Sequence, residues 1–193
     1  MKTGEIGELQ PRFSAEAPDR RRAVFLDRDG VVNKPVFREG RPCAPRQVSE
    51  FAIEPDVEQS LRRLRAAGFL LFVVTNQPDV ARGHLSLEAL RAMNDEVVAK
   101  LAVDEIKVCP HDDRDECGCR KPRPQMLLDL ADDYHVALDE SFIIGDSWKD
   151  TQAGKAAGCN SIIIDRPYNK DDPADYRVPN MSSAANLILR RDE

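Results

Sequence analysis

The 193-residue chain has no apolar run near the roughly 20 residues that a membrane-spanning helix requires. Residues 1 to 22 lack the hydrophobic centre of a signal peptide, so the expectation is a cytoplasmic protein that engages no membrane. Positive charge is in deficit: 28 lysines and arginines face 34 acids, a formal net charge of −6. That balance argues against a nucleic-acid partner or an anionic-membrane surface, and any phosphate must be handled locally. Five cysteines in such a protein point to metal binding or free thiols rather than to a disulfide framework. Neither an internal repeat nor a low-complexity tract is present.

Apolar residues at 41% and charged residues at 32% fit a soluble globular protein, and the length fits one domain with a real core. Residues 1–22 read as a flexible polar extension, with the arginines at 20 to 22 a solvated lead-in, and 23–193 as the folded domain. Strand-type runs at 24–26, 70–74, 105–108, 142–144 and 161–165 alternate with helical patterns. Val57, Leu61 and Leu64 form one stripe, stopped by Gly68. Ser86 caps a second helix carrying Leu87, Leu90, Val97 and Leu101, and Met126, Leu127, Leu130 and Tyr134 mark a third. Helices at 149–157 and 183–190 complete the set. Such alternation predicts an α/β fold with a central parallel sheet and right-handed crossovers, covered on both faces. The proline- and arginine-rich stretch from Asn33 to Phe51 reads as an irregular loop. It leaves the first strand directly and is too long to be idle.

Val24-Phe25-Leu26-Asp27-Arg28-Asp29-Gly30 is the most telling segment. A continuous apolar run reads as a strand buried on both faces. In extended chain residues i and i+2 share a side, so Asp27 and Asp29 point together and Arg28 points elsewhere. Two carboxylates at the carboxyl end of a buried strand lie where open α/β sheets bind ligands. The second strand ends in Thr75-Asn76-Gln77, Lys121 precedes a helical pattern, and Phe142-Ile143-Ile144-Gly145-Asp146 ends in another acid, with Asp150 four residues on.

This order of DxD, Thr, Lys and GDxxxD resembles the haloacid dehalogenase superfamily of phosphohydrolases, over about Ala23 to Asp165. The resemblance implies a three-layer Rossmann-like fold; no insertion here is long enough for the cap domain that many members carry. It also implies that Asp27 is a nucleophile and Asp29 a general acid/base, whose neighbouring acids hold it protonated in the first step. Thr75 and Asn76 would donate to phosphoryl oxygens and Lys121 would add a positive charge. Mg²⁺ would be held by Asp27, the Asp29 backbone carbonyl and Asp146, with Asp150 behind them.

A second constellation is Cys109-Pro110-His111, five intervening residues, then Cys117-Gly118-Cys119. Each half is an i, i+2 pair, and two such pairs can close a tetrahedral S₃N site around a structural Zn²⁺. Lys121 follows the last of these ligands by two residues, so the zinc-binding loop would hold that lysine in place. Cys43 and Cys159 read as unliganded.

The zinc loop running into Arg120-Lys121-Pro122 is similar to the capless phosphatases that act on heptose 1,7-bisphosphate and on histidinol phosphate. Thr75-Asn76-Gln77-Pro78-Asp79-Val80-Ala81-Arg82-Gly83 is similar to the heptose-type form, and the short gap between His111 and Cys117 to the histidinol type. The resemblance implies removal of the 7-phosphate of a heptose 1,7-bisphosphate, with histidinol phosphate or another small sugar phosphate as the alternative. It sets Asn76, Gln77, Arg82 and Arg120 against the substrate. Ser147 stands where the heptose type often has lysine. Arg38, Arg41 and Arg46 could meet a second phosphate. A monomer acting on a small phosphorylated sugar is expected. A phosphorylated receiver domain also gathers acids, a threonine and a lysine at strand ends, and a zinc-stabilised interaction module is a further alternative; the paired Asp27 and Asp29 favour the phosphatase.

Overall fold

In the computed structural model the described residues are 20–191, so most of the expected extension over 1–22 lies outside them. Of the arginines at its end, Arg20 and Arg21 are solvent-exposed as expected, yet each contacts the domain, and Arg22 is half-buried. Arg20 pairs with Asp139 at 2.8 Å, Arg21 bridges to Val136, and the Arg22 guanidinium lies 4.6 Å from the Phe69 ring centroid.

Strand β1 (Ala23–Leu26) leads into the hairpin β2 (Val36–Arg38) and β3 (Arg41–Cys43), then helix α1 (Val57–Ala66). Next come β4 (Leu70–Asn76), the short α2 (Pro78–Ala81), α3 (Leu87–Leu101) and β5 (Glu105–Cys109). The chain continues through α4 (Gln125–Tyr134), β6 (Phe142–Gly145), α5 (Trp148–Ala157), β7 (Asn160–Ile164), β8 (Tyr176–Val178) and α6 (Met181–Arg191). Six strands form one sheet in the order β5-β4-β1-β6-β7-β8, every pair parallel.

Strand alternation divides the core into two layers. Val24, Leu26, Leu71, Val73 and Ile144 face one side, where Leu61 and Leu64 of α1, Met93 and Val97 of α3 and Ile188 of α6 cover them. Phe25, Phe72, Val74 and Ile143 face the other, under Leu127 and Leu130 of α4 and Ala153 of α5. Each fully buried large side chain contributes about 1.5–3 kcal/mol. This is the three-layer α/β fold expected, and among the described residues no segment forms a cap domain over it.

Two elements depart from the sequence reading. The stretch from Asn33 to Phe51 is not irregular throughout: β2 and β3 pair antiparallel, and residues 48–50 form a 3₁₀ turn. Glu39 and Gly40 turn the hairpin with φ of 51° and 76°, the left-handed pair that a two-residue hairpin loop needs. The sheet also has a sixth strand, β8, whose three residues are too few to show a period.

Candidate active site

The carboxyl ends of β1, β4 and β6 meet at one cavity of about 550 Å³, lined by Asp27, Asp29, Asn76, Lys121, Asp146 and Asp150 among others. The Asp27 backbone N–H donates to Ile144 O at 2.9 Å, fixing the end of β1 against β6. Lys121 is 2% exposed, and its Nζ donates to Asp27 Oδ1 at 2.7 Å and to Val74 O at 2.6 Å. It also pairs with Asp150 Oδ1 at 2.6 Å. Carboxylate oxygens of Asp27, Asp146 and Asp150 lie within 4.8 Å of one another. Asp150 thus reaches the cluster itself, while its Oδ2 accepts from Ser147 N–H and Oγ and caps α5. Two glycines permit this crowding. A Cβ on Gly145 would stand 2.1 Å from Asp150 Cβ, and one on Gly30, at φ +94°, 2.0 Å from Asp146 Oδ2.

Charge in this cluster is unbalanced. Burial pushes the Asp27 carboxyl well above the usual range, against the pull of Lys121 and with the push of Asp150, Asp146 and Asp29. Burial and the Asp150 charge push Asp146 up to about 7, although Tyr168 and Lys121 oppose this. Burial alone would lower Lys121, but Asp150 and Asp27 outweigh it and hold the ammonium above its ordinary value. One ammonium cannot neutralise three carboxylates. Buried oxygen donors with surplus negative charge suit a hard divalent cation such as Mg²⁺.

Asp29 has different company. Arg28 does not point elsewhere: fully buried, it turns back so that Nη2 lies 3.2 and 3.3 Å from the two Asp29 oxygens, while Nη1 donates to Asn94 at 2.9 Å. Asn33 Nδ2 donates to Asp29 Oδ1 at 3.1 Å, and Gln77 Nε2 to Oδ2 at 2.6 Å. Its direct partners are therefore donors, where the sequence suggested acids. Gln77 is also displaced from its expected place against the substrate. It is fully buried, and its amide bridges Asp29 and Thr75 Oγ1 at 2.9 Å. Thr75 is fully buried too, and neither residue reaches the cavity wall. Asn76 does, clamping the Lys121 backbone through Oδ1 to N–H at 3.1 Å and Nδ2 to the carbonyl at 3.0 Å.

The mouth carries arginines, each held by an acid. Arg46 Nε donates to Asp79 Oδ2 at 2.7 Å, tying the 33–51 segment to α2. Arg82 forks onto Asp112 at 3.0 and 2.5 Å, and Arg120 donates to Asp113 at 2.8 Å. All three line the cavity. Arg38 instead serves its own loop, bonding Ala44 O and Glu50, and Arg41 lies off the cavity wall. The sequence reading missed Tyr168, whose hydroxyl donates to Asp146 Oδ2 at 2.5 Å, and Asn169, whose Nδ2 donates to Asp146 O at 2.7 Å. Their position just beyond the carboxyl end of β7 was the available signal.

Beside this cavity, the Cys109 Sγ lies 3.6 Å from Cys117 Sγ and 3.7 Å from His111 Nδ1. Cys119 Sγ lies 3.5 Å from Cys117 Sγ and 3.3 Å from His111 Nδ1. Zinc with bonds of about 2.0–2.3 Å in tetrahedral geometry needs ligand separations close to these. Burial and a thiol contact with Cys119 push Cys109 up to about 12, a cost that a metal cation would remove by binding the thiolate. With four protein ligands such an ion is structural. Cys43 and Cys159 lie outside this group.

The fold and this arrangement of acids define a hydrolase of one known class. A family model for haloacid dehalogenase-like hydrolases matches residues 15–158, and the chain belongs to that family. Within it, the chain is 41% identical over 158 residues to the D-glycero-beta-D-manno-heptose-1,7-bisphosphate 7-phosphatase of Rhodopseudomonas palustris, covering 76% of this chain and 84% of that protein. It is 30% identical to the D-glycero-alpha-D-manno-heptose-1,7-bisphosphate 7-phosphatase of Campylobacter jejuni, covering 89% and 98%. The crystal structure of the Bordetella bronchiseptica D,D-heptose 1,7-bisphosphate phosphatase, complexed with magnesium and phosphate, superposes with a TM-score of 0.78 at 32% identity, covering 88% of this chain and 99% of that one.

Proposed function

We propose that this chain is a Mg²⁺-dependent phosphatase that removes the 7-phosphate of a D-glycero-D-manno-heptose 1,7-bisphosphate. The observation that carries the reading is Asp27 and Asp29 side by side on one cavity, Asp27 held by Lys121 and Asp29 by neutral amides and Arg28. Relatives that act on this substrate match most of the chain.

Asp27 attacks phosphorus through a carboxylate oxygen, and the bond from phosphorus to the C7 oxygen breaks. Asp29 gives its proton to the leaving alkoxide. It then takes a proton from water, which attacks the aspartyl phosphate and frees Asp27 and inorganic phosphate. Lys121 stabilises the phosphoryl charge, and the Asn76 backbone N–H donates to a phosphoryl oxygen. Thr75 and Gln77 position Asp29 rather than touch substrate. Asp27, Asp146 and the Asp29 carbonyl, with Asp150 close by, would hold Mg²⁺, which would supply charge neutralisation on the phosphoryl group. Arg82, Arg120 and Arg46 offer donors to the second phosphate. Cys109, His111, Cys117 and Cys119 would hold Zn²⁺, which would fix the loop that delivers Lys121. Residues 23–193 form the catalytic unit, a monomer that fits the reducing cytoplasm where such thiols persist.

The deciding experiment compares kcat/KM for the α and β heptose 1,7-bisphosphates and for histidinol phosphate, with Mg²⁺ present and Asp27→Asn as the blank. A heptose bisphosphate is preferred, and the Asp27→Asn protein shows background turnover. A clear advantage for histidinol phosphate would sink the substrate assignment. Substantial turnover by Asp27→Asn would sink the mechanism.

A further inference from the structure

Trp148 is the single tryptophan of the chain and stands 43% exposed at the first position of α5. Its backbone is fixed: the N–H donates to Asp172 Oδ2 at 2.7 Å, and the carbonyl accepts from Thr151 Oγ1 at 3.1 Å. An exposed apolar side chain alone means little, and Val98 on α3 is exposed more. Position separates the two. Trp148 lies two residues from both Asp146 and Asp150 and lines the cavity that holds Asp27, whereas Val98 does not. It also lines a second cavity of about 760 Å³ toward residues 173–175.

The floor of the first cavity is made of carboxylates and an ammonium, chemistry for a phosphoryl group and its cation. A sugar differs, with hydroxyls at its edges and C–H bonds on its faces. An indole is rigid, broad and apolar with little entropy to lose, and suits such a face. Tyr168, the other aromatic on this wall, already spends its hydroxyl on Asp146. Lys149 Nζ lies 6.0 Å from the indole centroid, adding a cation beside the platform.

We infer that Trp148 is a specificity-determining residue, its indole packing against the C–H face of the substrate's sugar while the phosphate sits at Asp27. This rests on the sugar-phosphate reading above.

Acetyl phosphate, a substrate without a sugar, provides the reference. Trp148→Ala should lower the ratio of kcat/KM for heptose bisphosphate over acetyl phosphate about tenfold, chiefly through KM, as loss of an aromatic contact implies. Trp148→Phe should recover most of that ratio, and Val98→Ala should match the parent. In the Asp27→Asn protein, titration with heptose bisphosphate should shift the tryptophan emission saturably, while inorganic phosphate, confined to the floor, should not. An unchanged ratio, a parallel loss on both substrates, or equal emission responses to sugar and phosphate would overturn the inference. If the parent ignores heptose bisphosphate but hydrolyses another sugar phosphate, the substrate assignment falls, and the same ratio on that sugar decides for or against Trp148. If no sugar phosphate is hydrolysed, both fall.

Discussion

Three carboxylates, Asp27, Asp146 and Asp150, share the one ammonium of Lys121, and this surplus has a thermodynamic signature. A carboxyl held above its ordinary value in the folded protein costs stability once pH passes the unfolded value, because the folded state then resists losing the proton. Zinc-loaded but magnesium-free protein should therefore lose Tm as pH rises from about 4 to about 7, the value to which burial pushes Asp146. Saturating Mg²⁺ should cancel the loss, and Asp146→Asn should flatten it. A Tm that rises across that window would reverse the sign and refute the charge assignment. Gln77 makes the second residue-level case. Its amide holds Asp29 at 2.6 Å and Thr75 at 2.9 Å, so Gln77→Ala should leave Asp29 misoriented and lower kcat roughly tenfold, with KM little changed. An effect confined to KM would return Gln77 to the substrate side.

Strands β1, β4 and β6 were legible because each is a continuous apolar run, which a strand buried on both faces requires. The hairpin β2–β3 and the edge strand β8 were not, since three-residue strands carry no readable period and depend on their partners. The zinc loop behaves as an element in its own right. Cys109 ends β5, Cys119 stands two residues before Lys121, and the Lys121 ammonium meets Asp27 across 94 positions of sequence. Purified protein should carry about one zinc per chain by elemental analysis. Cys117→Ser should lower Tm and turnover together, because the loop that loses its metal also carries the lysine. A zinc-free preparation with an unchanged Tm would refute the structural role.

Across the whole molecule, three distant segments close the mouth: the 33–51 segment through Arg46, α2 through Asp79 and Arg82, and the zinc loop through Asp112, Asp113 and Arg120. Arg82 holds Asp112 well below the usual carboxylate range, so this acid stays charged and keeps its arginine in place. Arg120→Ala should reduce kcat/KM for the bisphosphate roughly tenfold while acetyl phosphate loses far less, as removal of one charge-assisted contact implies. Equal losses on both would assign Arg120 to the loop's structure instead. The sequence by itself determined the acids of the DxD pair, the order of Thr75, Lys121 and Asp146, and the Cys/His quartet. In each case the spacing is local, and backbone periodicity dictates which side a residue takes. Only the tertiary structure turned Arg28 and Gln77 onto Asp29, brought Asp150 to Lys121, paired Arg46 with Asp79, and put Tyr168 and Trp148 on the cavity wall. Most of these contacts join residues far apart in the chain, and their geometry is set by how helices and loops pack around the sheet, which no local pattern encodes.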